Sequence, residues 1–353
     1  MYLILLGLIV ICIERSGLAS GLKKFRLVGL TAVVVFALPP AVQATSKPEN
    51  IVGPNECAEC HKDEAKIWKK SHHFTTFRRM PRSKAARKIK KKMKIKRIKS
   101  KSLCLNCHFT VRMVKKKPKA ASGISCEKCH GDGKDYLKVH AEFSGHKKKE
   151  DEPRAKAKQR WRKSIAAGMI RPTALYALAK NCYSCHVVPR EKLVNVGKHP
   201  AGSKFELVSW SQGEVRHNVW YSNGKKNLKA NTNRKRMMYL VGVAVEFETA
   251  IRAVGVATKK KTYAIKMARR AAAARKRLIK VAKALPNVPE LKKIAALGKR
   301  AALKLNNNAA LTKAADRISK LTLALIGKYD GSKFGAIDKM IPGEKKYRGR
   351  AAS

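Results

Sequence analysis

The sequence predicts a mainly α-helical fold with little regular strand, closed by a C-terminal helical hairpin or bundle. Three observations predict it. Cys-x-x-Cys-His occurs four times between residues 57 and 186, each time in short segments with few strand signals. Beyond residue 236, apolar residues recur at a helical period. Aromatic residues make up only 6 % of the 353, too few for a core of side chains alone, so other apolar mass is expected to fill the interior.

The N-terminus holds two apolar stretches, "MYLILLGLIVIC" and "GLKKFRLVGLTAVVVFALPPAVQATSKPEN". The second reads as an export signal, with a basic start (Lys23, Lys24, Arg26), an apolar stretch Leu27–Leu38 and a small-residue site at Val42-Gln43-Ala44. Cleavage after Ala44 is expected, which makes 1–44 a leader and places the protein in the periplasm or otherwise outside the cytoplasm. An uncleaved N-terminal anchor would instead tie it to a membrane.

Eight of the nine cysteines lie beyond the leader, in four pairs. These are Cys57 and Cys60 before His61, Cys104 and Cys107 before His108, Cys126 and Cys129 before His130, and Cys182 and Cys185 before His186. Each is the c-type haem attachment pattern, in which two thiols add to porphyrin vinyl groups and the histidine ligates iron. Zinc knuckles, redox dithiols or a disulfide framework would also use paired cysteines. None of them requires the histidine. With 10 histidines in 353 residues, one following all four pairs by chance has odds of roughly one in a million. Four covalently bound haem c groups are therefore expected.

Six histidines remain outside the motifs, and a low-spin electron carrier needs a second axial ligand on each iron. His72, His73, His140, His146, His199 and His217 are the candidates. "KDEAKIWKK" reads as unbroken helix, which sets His73 about 18 Å from His61 at 1.5 Å per residue. Ligands of one iron sit much closer, so His61 and His73 belong to different haems, and "GDGKDYLKV" separates His130 from His140 in the same way. Distal histidines should thus come from remote segments. His72 and His73 point about 100° apart on a helix, so only one faces a given iron. Trp68 and His72, at i and i+4, favour His72.

At these residues the chain resembles the tetrahaem cytochrome c-554 family. The shared pieces are "CAECH...W....H", "CLNCH", "SGISCEKCHGDG" with His140 ten residues on, and "CYSCH", over roughly residues 50–190. The resemblance implies closely stacked, mostly bis-histidine haems and prefers His73 to His72. It implies a five-coordinate second haem on His108 with an open distal side, unless His199 caps that iron. His217 is favoured as the distal ligand that the family supplies after the fourth motif, with His199 available to the second haem. Gly131 and Gly133 fit close stacking, since a missing side chain admits backbone or a second macrocycle. By the same resemblance, the redox partner would be a hydroxylamine-oxidising enzyme.

The formal net charge is +57, which favours anionic partners. The run 78–102 is basic at most positions, with a thin apolar side of Ile89, Met93, Ile95 and Ile98. It reads as a solvated face or as a surface that steers an acidic redox partner. No nucleic-acid recognition motif is present. Residues 147–163 read as a mobile linker, "FELVSWSQGEVRHN" as a short strand and turn packing Trp210, and 223–235 as a boundary. Three domains follow: the leader 1–44, a haem domain 45–230 and a basic Ala/Lys-rich helical domain 231–353.

In that last domain Leu240, Val243, Phe247, Ile251 and Val254 give one long helix from Arg236 to Ala284. Glu246, Glu248 and Arg252 exclude it as a membrane span. "LPNVPE" ends it, and helices at 290–304 and 309–328 follow, the latter capped by Asn308. Packing, oligomerisation or contact with an anionic surface such as a membrane would be its role. No catalytic triad, phosphate loop or paired carboxylates occur. The expected function is electron relay between redox partners; the alternative is reduction of a small nitrogen oxide at an open haem on His108.

Overall fold

The computed structural model describes residues 46–100 and 102–349; the leader, Cys12 and the cleavage site at Ala44 lie outside the described residues. The first helix, α1 (Pro54–Ala58), starts on a proline, whose missing N–H costs nothing in a first turn. α2 (Lys62–Trp68) carries Asp63 and Glu64 in its first turn, where the helix dipole favours them. The helix expected to run on to His73 breaks here. Buried Ser71 donates to the Trp68 carbonyl at 2.7 Å and accepts from the Phe74 N–H at 3.2 Å, starting α3 (His72–Arg82). Ser83 repeats the device for α4 (Lys84–Lys92), accepting from the Ala86 N–H at 3.1 Å.

The second motif ends in α5 (Leu105–His108), and the chain then folds into a hairpin that periodicity did not reveal, β1 (Thr110–Val114) against β2 (Lys117–Ser122). Its turn residues Lys115 and Lys116 both have positive φ, the primed turn that matches strand twist. Ile98, Leu105, Phe109 and Val111 make a small apolar cluster beneath it. α6 (Cys126–His130) is the third motif itself.

The expected linker 147–163 is largely ordered helix, α7 (Arg154–Ala166). What orders it is an ion pair that composition conceals. Arg160, 5 % exposed, binds the Glu152 carboxylate through Nε at 2.7 Å and Nη2 at 2.5 Å, and donates to the His140 carbonyl. α8 (Leu175–His186) delivers the fourth motif, and α9 (Glu191–Asn195) follows. The strand expected around Trp210 is instead α10 (Leu207–Ser211), because the Glu206 carboxylate accepts from the Val208 and Ser209 N–H groups and caps a helix.

The single long helix expected from 236 to 284 is two, α11 (Thr232–Gly255) and α12 (Thr262–Ala284). Between them the Glu191 carboxylate accepts from the Thr258 N–H and hydroxyl and from the Lys259 N–H, fixing a corner. α13 (Pro289–Arg300) and α14 (Asn308–Lys328) complete a bundle. The expected cap moves back one residue to Asn307, whose side-chain N–H binds the Ala302 carbonyl instead.

α11 is the axis of the bundle, with α12 and α14 against it and α8 laid along it. The apolar positions read from its period, Leu240, Val243, Phe247, Ile251 and Val254, are all buried. Its buried acids are paired: Glu246 with Arg270 and Arg277, and Glu248 with Lys180, Arg252 and the Tyr176 hydroxyl. Among the described residues the large core runs from Leu175 to Ile337. Among the described residues no helix is long and apolar enough to cross a membrane.

Candidate haem sites

Each histidine of the four motifs faces a histidine from elsewhere in the chain. His61 lies opposite His140 with ring centroids 6.3 Å apart and planes 11° from parallel. His108 faces His199 at 6.1 Å, His130 faces His217 at 6.1 Å and His186 faces His73 at 6.4 Å. Two metal–nitrogen bonds of about 2 Å each, with roughly 1 Å from each nitrogen to its ring centre, account for about 6 Å. The spacing in every pair is that of two imidazoles ligating one metal from opposite sides.

Hydrogen bonds prepare the rings for this. Nδ1 of His130, His140, His199 and His217 lies 2.7–3.1 Å from a backbone carbonyl, of Ile170, Tyr136, Pro200 and Val215 respectively. A carbonyl only accepts, so these nitrogens carry the proton and leave the Nε2 lone pair free for a metal. His186 Nδ1 meets the Ser203 hydroxyl at 2.7 Å. Burial holds the rings neutral as well: it lowers His61, His73 and His108, and takes His130 and His186 down to about 4.

His72 and His146 join no pair. The side chain of His72 is 79 % exposed, and its Nδ1 binds Glu214 Oε2 at 2.7 Å. Glu214 Oε1 also takes the His72 backbone N–H, so this carboxylate pins the start of α3 with His73 turned inward. The lead-in to the third motif closes on the same turn. Ile124 N–H donates to the His73 carbonyl at 3.0 Å, and the Trp68 indole donates to the Ile124 carbonyl at 2.7 Å. Gly123 is required there, since a Cβ would stand 2.0 Å from the His73 oxygen. At Gly131, with φ +89°, a Cβ would stand 2.1 Å from the Gly168 oxygen, so the close approach is to backbone.

The motifs lie beside one another out of sequence order. The Cys57 thiol hydrogen-bonds with Cys126, which raises Cys57 and lowers Cys126; Cys107 and Cys185 do likewise, and Cys185 falls to about 6. Asn181, just before the fourth motif, donates to the Cys129 carbonyl at 3.2 Å. The first site therefore adjoins the third, the third the fourth, and the fourth the second. Inside the third motif, Glu127, 2 % exposed, accepts from the N–H groups of Val52, Gly53 and Gly133, tying the segment before the first motif to the third.

The residues fit a haem by a further observation. Trp210 Nε1, on α10, and Arg216 Nε, next to His217, are buried with no hydrogen-bond partner among the described residues. Buried donors are rarely left so, and a macrocycle bearing carboxylates is a group that would satisfy them. Sequence reasoning had not singled out Glu214 or Glu127, because the amides they bind at Val52, Gly53 and His72 are far away along the chain; nor had it singled out Arg216, which no motif marks.

Comparison with known proteins agrees with these motifs. Residues 56–131, which span the first three Cys-x-x-Cys-His groups, match the family described as "Cytochrome c554 and c-prime". Cytochrome c-554 of Nitrosomonas europaea is 26 % identical over 124 residues, 32 % of this chain and 51 % of that protein, so the chain spans about half the length of this relative. No solved structure matches the chain.

Proposed function

We propose that the chain is an exported tetrahaem c-type cytochrome that relays electrons between redox partners, a reading supported by the match of residues 56–131 to the cytochrome c554 family. Cys57/Cys60, Cys104/Cys107, Cys126/Cys129 and Cys182/Cys185 each anchor one haem c through thioethers. His61 with His140, His108 with His199, His130 with His217, and His186 with His73 would hold the four irons. The groups would supply reversible one-electron chemistry when bound, and the chain's own residues would orient them. The single observation that carries this reading is the set of four ring pairs, each joining a motif to a remote segment.

The adjacency of thiols supports an electron path in the order first, third, fourth, second. The nitrogen-oxide reductase reading needs an open position at His108, and the ring of His199 at 6.1 Å stands where that opening would be. The assignment of His199 to the second site and of His217 to the third, with His73 serving the fourth, is part of the proposal. So is the redox partner, which by resemblance is a hydroxylamine-oxidising enzyme.

Mass spectrometry and low-temperature EPR of the purified oxidised protein test the proposal. Four added haem masses and low-spin signals alone are expected, with cyanide and nitric oxide causing no change. A high-spin signal that cyanide removes would overturn the four-pair ligation and revive the reductase.

A further inference from the structure

The stretch from Ala65 to Cys126 contains 22 Lys or Arg and no Asp or Glu, an imbalance sharper than that of the whole chain. Its densest part, residues 84–99, has ten basic positions out of sixteen. Nine of the cations from Arg82 to Arg97 are exposed, and none has an ion-pair partner among the described residues. By contrast, in the C-terminal bundle Glu246, Glu248, Glu290, Asp316 and Asp338 each bind a Lys or Arg. The basic arm differs in having no acidic residue anywhere in its own stretch of chain to answer its charge.

The arm does not project into solvent. Ile98 is buried with Leu105, Phe109 and Val111, and Ala86 packs on the same cluster with Cys104. Phe109 follows His108 directly, its ring 6.1 Å from that of Phe77, which Lys99 Nζ caps at 3.4 Å. At the other end Met93 meets Gly197, where a Cβ would stand 2.9 Å from Met93 Cγ, two residues before His199. The Lys99 carbonyl also accepts from the Ala120 N–H at 3.2 Å, holding the arm to the hairpin. One basic segment thus touches the chain beside both histidines of the second pair.

We propose that residues 84–99 are the docking surface for an acidic redox-partner protein and that they set this partner beside the His108–His199 pair. The inference rests on the c-type cytochrome reading and deepens it, naming the end of the relay at which exchange occurs. The docked partner gives up or takes one electron there and is itself oxidised or reduced by one. Charge complementarity points to an acidic partner, and the fixed placement of the cations around one site points to a shaped protein surface. A fluid anionic lipid surface needs net charge but not that placement.

Two triple variants of the haem-loaded protein test this. Lys88→Glu/Lys91→Glu/Lys92→Glu reverses the arm, and Lys293→Glu/Lys299→Glu/Lys320→Glu makes the same charge change on the exposed faces of α13 and α14. Each is titrated at low salt with oxidised flavodoxin, a small acidic redox protein, and with phosphatidylglycerol vesicles. The arm variant should bind flavodoxin about tenfold more weakly or worse, and the bundle variant within about twofold of the parent. Carbodiimide cross-links from flavodoxin should fall on the arm lysines. Equal weakening in both variants, no weakening in either, or cross-links concentrated on the bundle would overturn the proposal. Loss of vesicle binding alone from the arm variant would assign the arm to membranes instead. Because neither triple touches a ligand, unchanged low-spin spectra keep the ligation reading separate from the docking result.

Discussion

At the residue scale, the positions that organise this molecule are buried acids bound to distant donors. Glu214 fixes the first turn of α3, Glu127 gathers three amides around the third motif, and Glu152 holds Arg160 against the carbonyl of His140. The last of these has a measurable pH signature. Hydrogen bonds from Arg160, and then from Ser144, hold the Glu152 carboxyl down to about 2, below its ordinary 4.5. A carboxylate with a depressed folded-state pKa stabilises fully above its unfolded value, and that stability is lost as the pH falls through the folded one. Glu152→Gln should therefore lower the thermal midpoint at neutral pH, and the gap to the parent should close between about pH 4.5 and pH 2. A gap that persisted at the acid end would show that the carboxylate charge is not what holds α7.

At the scale of elements, the break between α2 and α3 decides where His73 goes. The two helices together could have been one rod, and a rod would have carried His73 off the axis of His186. Ser71 ends the first helix and starts the second with one hydroxyl that both donates and accepts. Ser71→Ala removes an N-cap, a change that costs about 1 kcal/mol, within roughly 0.5–2 kcal/mol. Urea unfolding should show a lower midpoint with an unchanged slope, since the buried surface stays the same. A slope that fell with the midpoint would mean that the helix pair opens independently of the rest. The same logic explains why α11 and α12 are separate: Glu191 satisfies the amides of the corner, and no residue of the corner itself announces it.

At the scale of the whole molecule, apolar burial is unevenly shared. The large cluster runs through α8 to α14 and the segment beyond, whereas the smaller cluster before residue 170 holds four buried side chains, Ile98, Leu105, Phe109 and Val111, beside the second motif. Segments before residue 170 bury too little apolar surface of their own to offset the entropy of ordering them. If haems supply the missing apolar mass, the protein without them should remain folded only in part. Hydrogen exchange on protein expressed without haem attachment should find α11, α12 and α14 protected and residues 54–130 exchanging freely. Strong protection of both regions would show that the amino-acid core suffices alone.

The Cys-x-x-Cys-His groups, the helical C-terminal third and the amphipathic period of α11 were legible because each is local: two thiols and an imidazole must be near neighbours to serve one macrocycle, and a helix repeats every few residues. His73 and His140 could be placed by resemblance. The hairpin at 110–122 and helix α10 could not be read, because a Lys-Lys turn and a glutamate cap are weak signals beside the propensities around them. Nor could the helix α7, whose stability comes from Glu152 rather than from its own apolar pattern.

The sequence by itself determined the attachment chemistry, the supply of spare histidines and the positive charge, since these follow from which residues are present and how closely they are spaced. Only the tertiary structure decided that His140, His199, His217 and His73 stand opposite His61, His108, His130 and His186, and that the basic arm packs against Phe109 and Gly197 beside the second pair. A distal ligand is chosen by what the packing of remote segments brings within a few ångströms, and chain separation carries no information about that distance once the chain has folded.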